Sequence, residues 1–126
     1  MTPVFKSKLE EKVWAKLKTK YPTVCYEPDK IPFIQPAKDR NYIPDFKIGD
    51  VYIEAKGKLD LATRQKMLWF RECNPEVDVV ILFQNPSNKI RKGSATTYGE
   101  WADKNGFKWL DFRRNWIDDY RKLYSK

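Results

Sequence analysis

Three ionisable residues near the middle of the chain have the types and the spacing that phosphodiester chemistry requires. Asp45, Glu54 and Lys56 all lie within residues 43–57, which read IPDFKIGDVYIEAKG. Carboxylate oxygens suit a hard divalent cation such as Mg²⁺ or Mn²⁺. Such a cation can polarise a phosphoryl oxygen and lower the pKa of a bound water, and a neighbouring lysine can stabilise the negative charge that develops. These residue types therefore indicate metal-assisted hydrolysis.

The register of a predicted β-hairpin brings the two carboxylates together. Gly49-Asp50 is a two-residue turn with glycine first, and polar and apolar residues alternate on both sides of it. Counting outward from this turn sets Asp45 opposite Glu54, and a slip of one residue would exchange the faces of one strand. The apolar face then holds Phe46, Ile48, Val51, Ile53 and Ala55, and the other face holds Asp45, Lys47, Tyr52, Glu54 and Lys56.

Two acids in this position need a compensating charge. Residues directly opposite in a hairpin have Cβ atoms about 4.5–5.5 Å apart. At that distance two carboxylates repel by roughly 3 kcal/mol for an effective dielectric constant of about 20. Lys56 offers partial compensation, and a divalent cation offers more. The alternative is a surface charge ladder in which Lys47 and Lys56 balance the acids, although such a ladder would normally pair an acid with a base.

Composition narrows both the chemistry and the partners. The chain has 126 residues, no His and two Cys, which excludes zinc sites of the Cys/His type and catalysis by Ser-His-Asp or Cys-His arrangements. Lys and Arg number 25 against 17 Asp and Glu, a net charge of +8, and 15% of the residues are aromatic. A small basic domain rich in aromatic residues suits a polyanion, and nucleic acid is the first expectation.

The sequence also predicts the compartment. Cys25 and Cys73 lie far apart, as expected of reduced thiols in a cytoplasmic protein. No apolar run approaches the roughly 18 residues of a membrane span, and the start, MTPVFKSKLEEK, has no signal-peptide core. We therefore expect a cytoplasmic protein with no membrane partner.

Hydrophobic periodicity and turn signals predict an α/β fold. The proline-rich stretch 27–44 cannot be helical and is expected to be extended. Around it we predict helices over 7–19, 61–73, 97–105 and 116–124, the hairpin over 43–57, and strands over 77–84 and 107–112. This order favours a sheet with helices packed on it.

The residues around the two acids also carry a family resemblance. Pro44-Asp45 followed by Glu54-Ala55-Lys56 is the PD…ExK pattern of a large superfamily of metal-dependent nucleases. The chain resembles the phage endonuclease I family, the four-way DNA junction-resolving endonucleases of T-odd phages. The similar stretches are SKLEEKV, IPDFKIGDVYIEAKG, the run from Arg71 through VDVVILF, KGSATTYGEW and KNGFKW.

The resemblance implies four active-site residues, namely Glu10, Asp45, Glu54 and Lys56. It implies one or two Mg²⁺ or Mn²⁺ ions per site, held by Asp45, Glu54 and Glu10. Taken alone, Glu10 is the fourth residue of Ser7-Lys8-Leu9-Glu10 and would close a capping box at a helix start. If the alignment is displaced by one residue, Glu11 takes its place.

The resemblance also implies an assembly. The expected fold is a PD-(D/E)xK nuclease-like mixed central sheet flanked by helices, a single domain over 1–126. Residues 1–29 form an N-terminal helix segment, residues 30–42 an extended bridge, and residues 43–126 the nuclease body. Resolving a junction takes two cuts and hence two sites related by a two-fold axis. The resemblance implies that these two sites belong to an intertwined, domain-swapped homodimer in which Glu10 completes the site of the partner.

The implied partner is branched double-stranded DNA, without a small-molecule substrate. The implied role is phage DNA recombination, maturation or breakdown inside the bacterial host. Basic residues are expected to contact phosphates and to recognise DNA shape rather than sequence; the candidates are Lys38, Arg40, Arg64, Lys66, Lys89, Arg91 and Lys92. The alternatives are another nuclease of the same superfamily, such as a transposase cleavage subunit or a restriction enzyme, and a non-catalytic basic DNA-binding protein.

Overall fold

A five-stranded mixed sheet forms the centre of the chain in the computed structural model, which describes residues 3–35 and 38–124. Its strands are β1 (Cys25–Tyr26), β4 (Phe46–Ile48), β5 (Val51–Lys56), β6 (Asp78–Phe83) and β7 (Lys108–Asp111), in the spatial order β1-β4-β5-β6-β7. Strand β4 is antiparallel to both of its neighbours, β1 and β5, whereas β5, β6 and β7 are parallel. A separate hairpin consists of β2 (Ile31–Gln35) and β3 (Lys38–Tyr42).

Four helices cover both faces of this sheet, which confirms the predicted α/β class. They are α1 (Lys8–Lys20), α2 (Leu61–Cys73), α3 (Tyr98–Lys104) and α4 (Trp116–Tyr124). Helices α1 and α4 pack on the face that presents Ile53 and Leu82. Helices α2 and α3 pack on the opposite face, where Ile81 and Phe83 lie. Within the described ranges, no helix combines the length and the hydropathy needed to cross a membrane.

The hairpin of β4 and β5 has the predicted register. Phe46 pairs with Ile53 and Ile48 with Val51. The turn depends on Gly49, which adopts a φ of +57°, a left-handed conformation that glycine reaches without steric cost. Because Phe46 pairs with Ile53, continuation of the ladder by one residue places Asp45 beside Glu54. The strand pairing thus positions the two acids.

Residues 30–42, predicted as an extended bridge, contain two strands that pair with each other in this structure. Strands β2 and β3 pair with each other, with Ile31 opposite Tyr42, and residues 36–37 between them lie outside the described part of the chain. Packing explains the folded-back path, since Phe33 and Tyr42 bury their rings against Phe70 of α2. Asn74 also donates a hydrogen bond to the carbonyl of Pro32.

Candidate active site

Asp45 and Glu54 are buried together at the end of the β4–β5 hairpin. They are 7% and 5% exposed, respectively. The amide of Asp45 donates to Glu54 Oε1 at 3.2 Å, and the amide of Ala55 donates to Asp45 Oδ2 at 2.9 Å. Backbone donors thus hold both carboxylates in place, so the surface charge ladder considered above does not describe this pair.

Burial and negative charges around this pair raise the pKa of Asp45, and the neighbouring Lys56 also has a raised pKa. Burial, followed by the neighbouring negative charge of Glu54 and then of Glu10, raises the pKa of Asp45. Lys56 Nζ lies 3.0 Å from Glu54 Oε2. Burial alone lowers the pKa of Lys56, but the negative charges of Glu54, Asp45 and Asp60 outweigh it, so that the pKa stands above its ordinary value. Lys56 is therefore a cation at this site, as the sequence predicts.

Glu10 extends from the first turn of α1 towards the same place. The Ser7 side chain accepts a hydrogen bond from the Glu10 amide, which is half of a capping box. The Glu10 carboxylate does not complete the box, because Oε1 accepts instead from the amide of Lys6 and from the hydroxyl of Tyr26. In α3, by contrast, Thr97 and Glu100 form both halves of a capping box.

The carboxylate of Glu27, which sequence reasoning missed, joins Glu10 and Asp45. One oxygen from each of these three residues lies within 4.8 Å of the others. Glu27 follows β1, its amide donates to the carbonyl of Asp45 at 2.8 Å, and its φ is +45°. Lys6 Nζ lies 2.8 Å from Glu27 Oε2. In the sequence Glu27 is marked only by its position before Pro28, at the start of the proline-rich stretch 27–44.

The donor set fits a divalent cation of the Mg²⁺ or Mn²⁺ type. All candidate ligands are carboxylate oxygens, which these ions prefer. The geometry divides the acids into two groups that share Asp45: Glu10 and Glu27 on one side, and Glu54 with its Lys56 counter-charge on the other. The predicted ligands Glu10, Asp45 and Glu54 are thus brought together within one chain, whereas Glu11 is exposed and is not part of the group.

The predicted DNA-contacting residues have different environments. Arg64 is 8% exposed, and its Nη1 donates to the carbonyls of Leu59 and Ile90 at 2.7 and 2.9 Å. Arg64 therefore anchors the loop after β6, and we do not retain it among the proposed phosphate contacts.

The remaining candidates for DNA contact either are surface residues or have side chains outside the described part of the chain. Arg91 and Lys92 are exposed on the loop between β6 and α3, and Lys89 on the same loop donates to the carbonyl of Ala95. Lys66 is exposed on α2 with its ammonium 5.5 Å from the ring centre of Tyr42. Lys38 and Arg40 belong to β3, but their side chains lie outside the described part of the chain.

Comparison with known proteins gives consistent matches along the chain. The family described as "Phage endonuclease I" matches residues 1–123. The chain is 38% identical over 121 residues to "Endonuclease I" of Escherichia phage T7, an alignment that covers 94% of this chain and 81% of that protein. It is 41% identical over 108 residues to "Endodeoxyribonuclease 1" of Enterobacteria phage T3, covering 85% and 71%, respectively.

Proposed function

Because the chain belongs to the phage endonuclease I family, we propose that it is a divalent-metal-dependent endonuclease that resolves four-way DNA junctions. The observation that carries this proposal is the buried contact of Asp45 with Glu54, with Lys56 paired to Glu54 at the same place. Burying two acids side by side is unfavourable unless a cation or a proton offsets their charge. A DNA-binding protein without catalytic activity has no need of such a pair.

We propose that Asp45, Glu54 and Glu10 hold the cation, with Glu27 close enough to contribute. When bound, the cation supplies Lewis-acid polarisation of the phosphate and a more acidic water. The protein supplies the fixed positions: backbone amides orient Asp45 and Glu54, and Tyr26 with the Lys6 amide orients Glu10. Pre-oriented ligands require little reorganisation when metal and DNA arrive.

Lys56 has a separate role in this proposal. Its ammonium lies beside Glu54 and remains charged, so it can stabilise negative charge on the phosphate as that charge develops. It can also orient the attacking water through a hydrogen bond. Both roles act on the reaction rather than on overall DNA affinity, which is set by exposed basic residues.

Resolving a junction requires two cuts, and we propose that two copies of the chain supply the two sites. The segment from residue 30 to residue 42 is the proposed link between exchanged parts. Its β2–β3 hairpin contacts the rest of the chain mainly through α2, so the same packing surface can be covered by the hairpin of a partner. In that dimer residues 1–29 are exchanged together with the hairpin, so that Glu10 of one protomer completes the site of the other in the position that it occupies within one chain here.

DNA contacts are proposed for Lys66, Lys89, Arg91 and Lys92, with Lys38 and Arg40 as further candidates. Phosphate contacts of this kind give affinity without sequence preference, which suits recognition of a branched shape. The relatives come from phages, and we propose that this chain acts on DNA in the cytoplasm of a bacterial host.

The experiment is a cleavage assay on two substrates of matched sequence. The protein is incubated in Mg²⁺ with a synthetic four-way junction and with the linear duplex of one of its arm pairs, and EDTA is added in parallel reactions. We expect paired cuts in the junction, much slower cutting of the duplex and none in EDTA. Equal rates on both substrates would contradict junction selectivity, and a fixed cut sequence in the duplex would favour a restriction-type nuclease. If no divalent cation supports cleavage, the nuclease proposal is rejected in favour of a non-catalytic DNA-binding protein.

A further inference from the structure

Tyr42 has a buried hydroxyl group that lies beside Glu54 but makes no well-aligned hydrogen bond. The residue is 4% exposed, and its hydroxyl oxygen has no hydrogen-bond partner among the described residues. Buried polar side chains nearly always have a partner, and exceptions concentrate where a site is incomplete or held under strain. A buried donor without a well-aligned acceptor calls for a structural or functional explanation.

Packing holds the Tyr42 ring in one place. It lies edge-on to Phe70 of α2 with the ring centres 4.5 Å apart, and the ammonium of Lys66 lies 5.5 Å from its centre. Tyr42 also ends β3 in register with Ile31. The hydroxyl therefore cannot turn out to solvent without withdrawal of the whole ring from its cluster.

The hydroxyl lies on the face of β5 that presents Glu54. Tyr42 shares a hydrophobic cluster with Tyr52, and Tyr52 and Glu54 project from the same face of the strand because side chains alternate along it. Burial, followed by the negative charge of the adjacent Glu54 carboxylate and its hydrogen-bonding contact with the phenol, raises the pKa of Tyr42 well above its ordinary value. A tyrosine hydroxyl can donate one hydrogen bond, and the Glu54 carboxylate is an acceptor on the same face.

Glu54 has room for a third hydrogen-bond partner. Its Oε1 accepts from the Asp45 amide, and its Oε2 pairs with Lys56 Nζ. A carboxylate can accept about four hydrogen bonds through its two oxygens. The Glu54 carboxylate therefore retains capacity to accept from Tyr42.

We propose that Tyr42 is a positioning residue for Glu54, and that its hydroxyl donates to the Glu54 carboxylate when Glu54 binds a divalent cation. The proposal rests on the proposed metal-dependent nuclease function. Hydrogen bonds to a ligand carboxylate fix its orientation and support metal affinity. Since Tyr42 belongs to the β2–β3 hairpin, correct seating of that hairpin on α2 becomes a condition for a well-ordered metal site.

The test compares Tyr42→Phe with wild type and with the control Tyr120→Phe, which alters a buried tyrosine on the other face of the sheet. Three quantities are measured: the thermal unfolding temperature without metal, the Mn²⁺ dissociation constant by calorimetry, and kcat on a four-way junction. We expect Tyr42→Phe to unfold at an equal or higher temperature, because the unpaired hydroxyl is gone. Its Mn²⁺ affinity and kcat should fall about tenfold, and those of the control should stay within twofold of wild type.

The outcomes separate this inference from the proposed function. Mn²⁺ affinity and kcat within twofold of wild type for Tyr42→Phe would overturn the positioning role and leave the nuclease proposal intact. A lower unfolding temperature without metal would also overturn it, because the hydroxyl would then already have a partner. Weakened Mn²⁺ binding in a protein whose wild type cuts no DNA would support the positioning role and reject the nuclease proposal.

Discussion

The backbone amide of Asp45 donates a hydrogen bond to a carboxylate oxygen of Glu54 across 3.2 Å. The next residue after Glu54 returns the contact, since the amide of Ala55 donates to Asp45. Each acid is thus held by the backbone beside the other, in a place where both are more than nine-tenths buried. Such an arrangement makes the metal-free fold sensitive to the charge of Asp45.

Asp45→Asn should therefore stabilise the metal-free protein at alkaline pH. Burial and the charge of Glu54 raise the pKa of Asp45 in the fold, so the folded chain keeps this proton at pH values where the unfolded chain has lost it. The stability that depends on it is fully present below the ordinary aspartate pKa of about 4 and declines as pH rises towards the raised pKa. At pH 8 we expect a gain of roughly 1–3 kcal/mol.

Urea unfolding in EDTA at pH 5 and pH 8 measures this effect. The matched control is Asp50→Asn at the exposed hairpin turn, which should unfold as wild type does. If the free energy of unfolding of Asp45→Asn depends on pH as that of wild type does, the charge of Asp45 is not the one that destabilises the metal-free fold. Cleavage of DNA should be lost in Asp45→Asn at both pH values.

Lys56→Ala should separate binding from cleavage. The ammonium of Lys56 is paired with Glu54 and largely buried, so its loss leaves the proposed phosphate contacts of exposed basic residues intact. We expect junction affinity within about twofold of wild type and a cleavage rate reduced about 10²–10³-fold. Gel-shift titration in Ca²⁺ and single-turnover cleavage in Mg²⁺ measure the two quantities. Lys104→Ala, at an exposed lysine of α3, serves as control, and undiminished cleavage by Lys56→Ala would remove this residue from the mechanism.

Lys6 and Glu27 should have opposite effects on metal affinity. The Lys6 ammonium lies 2.8 Å from Glu27 and adds positive charge where a divalent cation would bind. Lys6→Ala should therefore tighten Mn²⁺ binding a few-fold, whereas Glu27→Gln should weaken it by a similar factor, with Lys8→Ala as control. Calorimetric titration without DNA gives both constants. Unchanged affinity in both variants would place Glu27 outside the metal site.

The hairpin and its two acids could be predicted from sequence because the information is local. The Gly49-Asp50 turn fixes the register, and alternation over a few residues on each side fixes the faces. Glu27 could not be found in this way. Its position depends on β1, which has only two residues and pairs with β4 about twenty positions further along the chain. No periodicity marks so short a strand.

Arg64 shows a second limit of sequence-based prediction, since its environment depends on a part of the chain far away in sequence. Its place on a predicted helix after the β4–β5 hairpin suggested a phosphate contact, but in the fold its guanidinium donates to the carbonyl of Ile90 in a distant loop. We predict that Arg64→Ala lowers the free energy of unfolding by about 2 kcal/mol, because the carbonyls of Leu59 and Ile90 lose their charged donor. Urea unfolding checks this value, and a loss of DNA affinity without a loss of stability would restore Arg64 to the DNA surface.

Arg91 and Lys92 should determine part of the salt dependence of DNA binding. Both are exposed on the loop between β6 and α3, where they can reach phosphates. Replacing both by alanine should reduce the slope of log affinity against log salt by about 1.8 if each neutralises one phosphate of double-stranded DNA. Binding to a four-way junction between 50 and 200 mM salt, roughly the range in which such slopes are measured, gives the slope. An unchanged slope would place the DNA on another surface.

Diffraction from a crystal soaked in Mn²⁺ tests the central claim most directly, because the anomalous signal of the ion locates it without reference to activity. We expect a peak at roughly 2.0–2.6 Å, the range of metal–oxygen bonds to hard divalent cations, from a carboxylate oxygen of Asp45, with oxygens of Glu54 or Glu10 in the same coordination shell. A well-ordered, Mn²⁺-saturated crystal with no peak at Asp45 would contradict the account of this site as a metal-dependent nuclease centre.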